Sequence, residues 1–403
     1  MNSAEAGRAG KGVRSDCLVR ITESGADGVR ISMQSKVEVL YGRANRALLD
    51  ELCAHFDLSG VDVAVEDSGA LPYTIAARME TAVRRLRGKA APWLPPVWTG
   101  DVPASRRDRF RRSRLYLPGN DPKLAINAGV HGADGLILDL EDSVAPAEKD
   151  AARILVRNAL RALDFMGAER MVRINQLPLG LEDLDAVIPQ NPDLILIPKV
   201  ETPEQVREVD AHIRALTGDD GREVFLMPII ESAKGAVHAY DIASACGSVV
   251  ALAIGLEDYT ADIGAERTLE GKESLWMRGA VLNAARAAGV QAIDTVFSDV
   301  TDMEGLLASV REAKALGFDG KGCIHPRQIP VVHEGFAPTE AEITRAKKIV
   351  RAFDAAEREG LGVVSLGSKM IDPPVVKRAQ RTITMAVTAG ILPEDWKEHD
   401  DEA

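Results

Sequence analysis

The order of apolar and polar positions predicts strands that alternate with helices from residue 113 onward. The strand candidates are 113–118, 135–140, 170–175, 193–199, 223–230, 249–255, 290–296 and 320–325. Strands that alternate with helical segments form a parallel sheet, and eight such units over about 210 residues fit a (β/α)8 TIM-type barrel. A doubly wound open sheet is the alternative, but no GxGxxG motif follows the first strand.

The segments on either side of the barrel predict smaller units. Residues 1–14 are small and polar, and we expect them to be disordered. Residues 15–87 predict a small α+β domain, because strand-like runs flank two helical patterns at 36–56 and 71–87. The barrel would then span 113–335. A helical extension would fill 336–403, with helices at 339–358 and 373–389.

A linker at 88–112 joins the first domain to the barrel. Four prolines stiffen it, and its end is rich in arginine (Arg106, Arg107, Arg109, Arg111 and Arg112). Charge runs usually face water, so the pattern favours a solvated tether over a specific anion site.

The composition narrows the class of protein. The 403 residues carry a formal net charge of −12, which argues against nonspecific nucleic-acid binding. No apolar run approaches the ~18 residues of a membrane helix, and the N-terminus lacks a signal-peptide core. Four scattered cysteines without a CxxC pair favour reduced thiols in a cytoplasmic protein over a cysteine-rich zinc site.

Acidic residues follow several of the predicted strands. The apolar run 135–142 (GLILDLED) ends in Asp139, Glu141 and Asp142, and two later strands end in Glu231 and in Glu257-Asp258. The carboxyl ends of barrel strands meet on one face, where active sites lie. Carboxylates gathered there suit a hard, oxygen-liganded cation such as Mg²⁺.

Three cationic or titratable residues share that face, each with two interpretations. Arg173, in an apolar strand, would pair with Glu141 or Asp142 or would bind an anionic ligand. Lys199 invites a Schiff-base aldolase interpretation, but neighbouring carboxylates favour a charged, paired amine. His325 would be a base or, as we favour, a hydrogen-bonded structural histidine.

The barrel motifs resemble the citrate lyase beta subunit and its relatives in the HpcH/HpaI-type aldolase superfamily, which include malyl-CoA and citramalyl-CoA lyases. The matching segments are 114–120 (RLYLPGN), 138–144 (LDLEDSV), 172–175 (VRIN), 230–236 (IESAKGA), 255–264 (GLEDYTADIG) and 323–326 (CIHP). The resemblance implies that Glu231 and Asp258 hold Mg²⁺ and that Arg173 holds an oxo-acid. It also implies catalytic roles for Glu141 and Asp142, and substrate contacts for Gly119, Asn120 and His325.

The segment 368–373 (SKMIDP) is similar to a C-terminal element of the CoA-ester lyases. That similarity implies that Asp372 reaches an active site, either its own or a neighbouring subunit's in a homo-oligomer (a trimer or a hexamer). A turn residue before two prolines is the alternative interpretation.

Residues 15–87 resemble the acyl-carrier (gamma) subunit of citrate lyase, on the segments 15–21 (SDCLVRI), 34–38 (QSKVE) and 65–71 (VEDSGAL). That subunit carries a covalent CoA-derived prosthetic group on a serine two residues before the aspartate that matches Asp16. Arg14 occupies this position here. Ser15 is the remaining attachment candidate, and a carrier domain without its arm is the interpretation we favour.

The resemblance implies an Mg²⁺-dependent lyase that cleaves a 3-hydroxy-3-carboxylic acyl thioester to an oxo-acid and an acetyl thioester. Arg173 would stabilise negative charge, and Asp372 would protonate the enolate carbon. A stand-alone CoA-thioester lyase, acting on a small-molecule acyl thioester, is one hypothesis. A fused gamma–beta piece of a citrate lyase complex, with a separate transferase subunit, is the second. A non-catalytic scaffold is the third, and the acidic strand ends argue against it.

Overall fold

The computed structural model describes residues 2–25, 27–100, 104–218, 222–358, 364–366 and 369–398. Ser368, the first residue of the SKMIDP segment, lies outside these ranges, as do parts of the linker and of the connection after residue 358. The chain forms two compact units, Met1–Val332 and His333–Ala403. The first unit contains both the N-terminal sheet and the barrel.

The N-terminal domain is a four-stranded sheet covered by two helices. Its strands are β1 (Ser3–Gly7), β2 (Cys17–Glu23), β3 (Val29–Ser35) and β4 (Val61–Asp67), in the order β1-β2-β4-β3. The helices are α1 (Glu38–His55) and α2 (Pro72–Arg87). The expectation of disorder over 1–14 is wrong for β1, which pairs antiparallel with β2 and buries Ala6 against the domain core.

The barrel closes with all eight strands parallel, which confirms the predicted fold class. The strands are β5 (Ser113–Pro118), β6 (Gly135–Asp139), β7 (Glu169–Arg173), β8 (Leu194–Ile197), β9 (Phe225–Ile230), β10 (Ala251–Ile254), β11 (Gln291–Asp294) and β12 (Gly320–Cys323). Strand β12 pairs with β5 and completes the ring. Most residues of the strands are buried and apolar, as expected for strands covered on both faces, although Arg114 of β5 and Lys321 of β12 are buried as well.

Helices follow the strands around the outside of the barrel. They are α3 (Pro122–Ala125), α4 (Lys149–Ala162), α5 (Leu179–Val187), α6 (Pro203–Thr217), α7 (Ala233–Val237), α8 (Ala239–Ala243), α9 (Leu256–Asp262), α10 (Leu275–Ala288), α11 (Met303–Leu316) and α12 (Gln328–Phe336). The short α9 begins directly after β10, so its first turn carries Glu257 and Asp258 to the carboxyl end of the barrel.

The arginine-rich end of the linker is not a solvated tether. Arg111 is fully buried and donates two hydrogen bonds of 2.7 Å to Glu169, which is also fully buried. Arg107 and Arg109 donate to main-chain carbonyls of the segments that precede the barrel strands, Val249 and Asp134 among them. Most of this arginine run therefore closes the amino-terminal end of the barrel.

The N-terminal domain packs on the barrel through α2 and α4. Glu80 of α2, fully buried, accepts hydrogen bonds of 3.0 and 2.7 Å from Arg157 of α4. Trp93 in the linker donates its main-chain N–H to the same carboxylate. A buried, bidentate ion pair of this kind fixes the orientation of two helices, because breaking it leaves a buried charge without a partner.

The C-terminal unit contains two helices and a hairpin. These are α13 (Glu340–Arg358), β13 (Val364–Leu366), β14 (Lys369–Ile371) and α14 (Pro373–Thr388). The two helices share a small apolar core that includes Ile349, Ile383 and Trp396. Among the described helices, none is long and apolar enough to cross a membrane.

Candidate active site

A cavity of about 370 Å³ opens at the carboxyl ends of the barrel strands. Its volume lies in the range of small-molecule sites, about 300–1,000 Å³. Five acidic residues and one arginine line it, together with a tyrosine. These residues are Asp139, Asp142, Glu231, Glu257, Asp258, Arg173 and Tyr116. The carboxylates that the sequence placed at separate strand ends thus meet at one site.

Arg173 is held by a bidentate ion pair inside this cavity. Its Nε and Nη2 donate to the two carboxylate oxygens of Asp139 over 2.6 and 2.7 Å, and its Nη1 lies 2.9 Å from Glu141. Asp139 and Arg173 are register partners on the neighbouring strands β6 and β7. Burial raises the pKa of Asp139, but the Arg173 guanidinium outweighs it and holds that pKa below its usual range. The arginine is thereby fixed in orientation and always charged.

Lys199 occupies the centre of a second cluster. Its ammonium lies 3.3 Å from Glu141, 3.6 Å from Asp142 and 3.5 Å from Asp258. Burial lowers the pKa of Lys199, but these carboxylates outweigh the burial and hold the pKa above its usual value. Burial raises the pKa of Glu141, although Arg173 opposes that shift.

Glu231 and Asp258 both contact Lys199. Glu231 is 5% exposed, at the end of β9, and one oxygen accepts the Lys199 main-chain N–H over 2.6 Å. Burial, with the charges of Asp258 and Glu141, raises the pKa of Glu231 to about 8. The Asp258 carboxylate is more open, with 44% of its side chain exposed. A buried carboxylate with a raised pKa, beside other carboxylates, is stabilised by a cation.

The donor set fits Mg²⁺. The carboxylates that surround Arg173 and Lys199 are those of Asp139, Glu141, Asp142, Glu231 and Asp258. These five outnumber the cations even when Lys149 is counted as a third, since it donates to the main-chain carbonyls of Leu140 and Glu141. Among the described residues, no group of three or more histidine, cysteine or acidic side chains is arranged as a complete metal cage. Mg²⁺ does not need one, since it is held by one or two carboxylates together with water and substrate oxygens. Glu231 and Asp258, the predicted Mg²⁺ ligands, both line the cavity.

The loop after β5 forms part of the rim. Pro118 lines the cavity, and Gly119 donates its main-chain N–H to the Asp139 carbonyl over 2.8 Å. A Cβ at Gly119 would lie 2.5 Å from that carbonyl oxygen, so only glycine fits. The Asn120 carbonyl accepts hydrogen bonds from two arginines of the N-terminal domain, Arg8 and Arg78. Gly119 and Asn120 are therefore held in place by main-chain contacts.

Two strand-end residues lie outside the cavity. His325 is half-buried, and its Nδ1 accepts the main-chain N–H of Arg327 over 3.1 Å. Asp294 is fully buried and pairs with Arg278 and Lys321 beside a separate cavity of about 740 Å³. Its contacts are those of a structural ion pair.

Asp372 and Ser15 belong to other parts of the chain. Asp372 is the N-cap of α14 in the C-terminal unit, and its Oδ1 accepts the Val375 main-chain N–H. Ser15 is half-buried in the N-terminal domain, has φ +57° and donates its main-chain N–H to the Ser68 carbonyl. Asp16, next to it, is buried in a bidentate pair with Arg78.

Of the cavity residues that were not among the predicted site residues, two contact Arg173. Asp139 is the partner that orients Arg173. The sequence feature that could have identified it is an acidic residue at the end of a buried strand. Tyr116 lies beneath the Arg173 guanidinium, 5.3 Å from ring centroid to Cζ. Its signal was weaker, because an aromatic residue in a strand usually belongs to the core.

The barrel and the N-terminal domain each match a known protein family. Residues 112–326 match the family model described as HpcH/HpaI aldolase/citrate lyase. Residues 4–86 match a second model, described as malonate decarboxylase delta subunit. The citrate lyase subunit beta of Leuconostoc mesenteroides subsp. cremoris is 43% identical over 69% of this chain and 94% of its own length. The mitochondrial citramalyl-CoA lyase of Homo sapiens is 33% identical over 78% of this chain and 96% of its own.

A solved structure supports the same relationship. The CitE protein of Mycobacterium tuberculosis, in complex with magnesium, acetoacetate and coenzyme A, aligns with a TM-score of 0.57 and 33% identity. The alignment covers 70% of this chain and 99% of that one. The fold and site define a (β/α)8-barrel enzyme of the carbon–carbon lyase class. The chain belongs to the HpcH/HpaI aldolase/citrate lyase family.

Proposed function

We propose that this chain is a Mg²⁺-dependent lyase that cleaves a free CoA thioester of a 3-hydroxy-3-carboxylic acid, of the citramalyl, malyl or citryl type. The products are an oxo-acid and acetyl-CoA. One observation carries the proposal: Glu231 and Asp258, suited to a hard cation, line the same cavity as the oriented guanidinium of Arg173. An oxo-acid needs both kinds of partner.

The bond changes follow from the substrate. The hydroxyl proton is removed, the bond between the hydroxyl-bearing carbon and the thioester α-carbon breaks, and the hydroxyl carbon becomes the carbonyl of the oxo-acid. The electron pair stays on the thioester as an enolate, which is then protonated. When bound, Mg²⁺ supplies Lewis-acid polarisation of the substrate oxygens and lowers the pKa of the hydroxyl.

The chain's own residues have distinct tasks in this proposal. Arg173 is fixed in orientation by Asp139 and Glu141. It therefore stabilises negative charge on the oxo-acid as a preorganised group, without reorienting during the reaction. Asp142 lines the cavity with 53% of its side chain exposed, so its carboxylate is available to accept the hydroxyl proton. Glu141 holds Arg173 and Lys199 in place.

Asp372 protonates the enolate carbon in this proposal, from the same or a neighbouring subunit of a homo-oligomer. Its role as an N-cap supplies a sharp test. Asparagine caps a helix as well as aspartate does, but it cannot transfer a proton. We expect Asp372→Asn to keep the melting temperature and lose turnover, whereas Asp372→Ala lowers both. Unchanged turnover in Asp372→Asn would exclude the role.

Free CoA is favoured over a covalent arm by the contacts of the N-terminal domain. Arg14 stands where the resemblance expects the modified serine. The adjoining Asp16 is locked to Arg78, and the domain is joined to the barrel by the buried pair of Glu80 and Arg157. A swinging carrier needs mobility, and these buried pairs oppose it.

A second candidate function is the fused gamma–beta subunit of a citrate lyase complex, which uses a carrier-bound thioester made with a transferase subunit. The greater identity to citrate lyase subunit beta, 43% against 33% for citramalyl-CoA lyase, favours it. It requires a prosthetic group on Ser15, which intact-protein mass would reveal. The free thiols of the described cysteines support a reducing, cytoplasmic setting for either candidate.

The deciding experiment measures oxo-acid release from free citramalyl-, malyl- and citryl-CoA by the purified chain with Mg²⁺. Release identifies a self-sufficient CoA-thioester lyase. If none of the three is cleaved, the carrier-bound function takes its place. Calorimetry with Mg²⁺ tests the remaining alternative, because a non-catalytic scaffold would bind no metal.

A further inference from the structure

A cluster of positive charge lies in the segment 8–14 (RAGKGVR), the basic loop, in which Arg8 is paired with Asp16 and Asp121. It carries three cations and no acid, in a chain of net charge −12. Lys11 and Arg14 are exposed, and neither has an ion pair or side-chain hydrogen bond with any described residue. Because their charges are not neutralised by a neighbouring acid, Lys11 and Arg14 are available to attract an anion.

The basic loop is anchored at the rim of the candidate active site. At its start, Arg8 donates to the Asn120 carbonyl over 2.7 Å and lies 3.8 Å from Asp121. Directly beyond its end, Asp16 pairs with Arg78, which donates to the same Asn120 carbonyl over 3.1 Å. Asn120 lies two residues past Pro118, which lines the cavity.

The middle of the basic loop is also held. Lys36 donates to the carbonyls of Gly10 and Val13, both over 3.3 Å. Gly10 and Gly12 have φ values of +105° and +87°, which allow the turns that these contacts require. Lys11 and Arg14 are therefore presented from a backbone that is fixed at both ends and in the middle. Lys36 adds a further positive charge.

We propose that the basic loop binds the nucleotide phosphates of the CoA thioester, an inference that rests on the proposed function. CoA carries its phosphates at one end and its thiol at the other, joined by the long pantetheine arm. The cavity is rich in carboxylates and repels phosphates, so their site must lie outside it, on the rim. The basic loop supplies the opposite charge at that rim.

The carrier-like domain thus takes a new role. Arg14 stands where a covalent arm would begin, and here it contributes to holding the same kind of group without a covalent bond. Exposed charges act over a limited range in salt, so each cation contributes modestly and two together contribute measurably.

Calorimetry with CoA and with phosphate-free pantetheine tests the proposal. We expect wild-type protein to bind CoA the more tightly, with a ratio that shrinks as salt rises. Combined Lys11→Glu and Arg14→Glu should weaken CoA binding about tenfold, the sum of several exposed charge interactions, and should leave pantetheine binding unchanged. Lys89→Glu is the control. It makes the charge change of one of the two substitutions, at an exposed position just past the C-terminal end of α2 and about 15 Å along the helix from Arg78.

Four outcomes are distinguishable. Equal CoA affinity in the double variant and in wild type overturns the proposal, as does a wild-type CoA affinity that equals that of pantetheine. A KM for the CoA thioester that rises in the double variant, with kcat retained, supports it. If no CoA thioester is cleaved but the variant still loses CoA affinity, the proposed function fails and the phosphate site stands.

Discussion

The main-chain N–H of Lys199 donates to the Glu231 carboxylate over 2.6 Å, from a backbone in the left-handed region with φ +50°. A lysine adopts this conformation at a cost, of order 1–3 kcal/mol, which the surroundings must offset. In this conformation the main chain of Lys199 orients the Glu231 carboxylate. The ammonium of Lys199 meanwhile neutralises charge on Glu141, Asp142 and Asp258. One residue thus organises both halves of the acidic cluster.

Lys199 is predicted to stay charged and to form no Schiff base. The surrounding carboxylates hold its pKa above the usual value, so the amine is protonated at neutral pH and is a poor nucleophile. Borohydride added to the enzyme with pyruvate or oxaloacetate should leave the intact mass unchanged. A mass increase that is lost in Lys199→Met would contradict this and favour an imine mechanism.

Glu231 and Asp258 are predicted to hold the metal. Glu231→Gln and Asp258→Asn should each weaken Mg²⁺ binding by roughly tenfold to a hundredfold or more, since even second-shell changes produce losses of that size. The neighbouring Glu257 is the control, because Arg267 and Ser298 already satisfy its carboxylate. Calorimetric titration with Mg²⁺ measures the affinity. Full activity and unchanged affinity in Glu231→Gln would remove the metal assignment.

The convergence of these residues was accessible from the sequence because it depends on topology alone. Buried apolar runs predicted the strands to within a few residues, and parallel strands must deliver their ends to one face. The individual pairings were not accessible. The ion pair between Arg173 and Asp139 depends on the register of β6 against β7. The apolar pattern of each strand does not specify that register.

Arg173 is predicted to act through its fork geometry as well as its charge. Arg173→Lys keeps the charge but cannot make the bidentate pair with Asp139, so the cation loses its fixed direction. We expect kcat/KM to fall by about 10²–10³, the usual cost of losing one preorganised donor. Steady-state kinetics with the thioester found in the cleavage assay measures the fall. Near wild-type kcat/KM in this variant would show that charge alone suffices.

The linker and the extreme N-terminus were predicted wrongly, for a shared reason. Arg111 finds its partner in Glu169, 58 positions away, and Ala6 is buried only because β1 pairs with β2. A local charge run or a run of small residues carries no information about such distant partners. Both features are therefore determined by tertiary contacts that override local composition.

The buried triad of Asp294, Arg278 and Lys321 is predicted to make the free energy of unfolding fall at acid pH. Burial raises the pKa of Asp294, but the two cations outweigh it and hold that pKa below its usual value. A carboxyl with a folded-state pKa below the unfolded one stabilises the fold at neutral pH. That contribution is lost as pH falls below about 4. Urea unfolding between pH 3 and 7 should show this decline.

The control for the triad removes the titrating group. Asp294→Asn should lower the free energy of unfolding at pH 7 by about 3–5 kcal/mol, because two buried cations lose their partner. The variant should also show a shallower decline toward pH 3. An acid dependence identical to wild type would assign the effect to other carboxyl groups.

Arg114 and Arg111 are predicted to have opposite effects on stability. Both are buried, and Arg111 pairs with Glu169. The Nε of Arg114 has no hydrogen-bond partner, and its Nη1 donates to the Met227 sulfur. Arg114 forms no ion pair with a described residue. Burial accordingly lowers the pKa of Arg114. Arg114→Met should raise the free energy of unfolding by about 1–4 kcal/mol, and Arg111→Met should lower it by about 3–5 kcal/mol. Thermal and urea unfolding measure both, and a destabilised Arg114→Met would mean that its charge has a partner in solution, such as a bound anion.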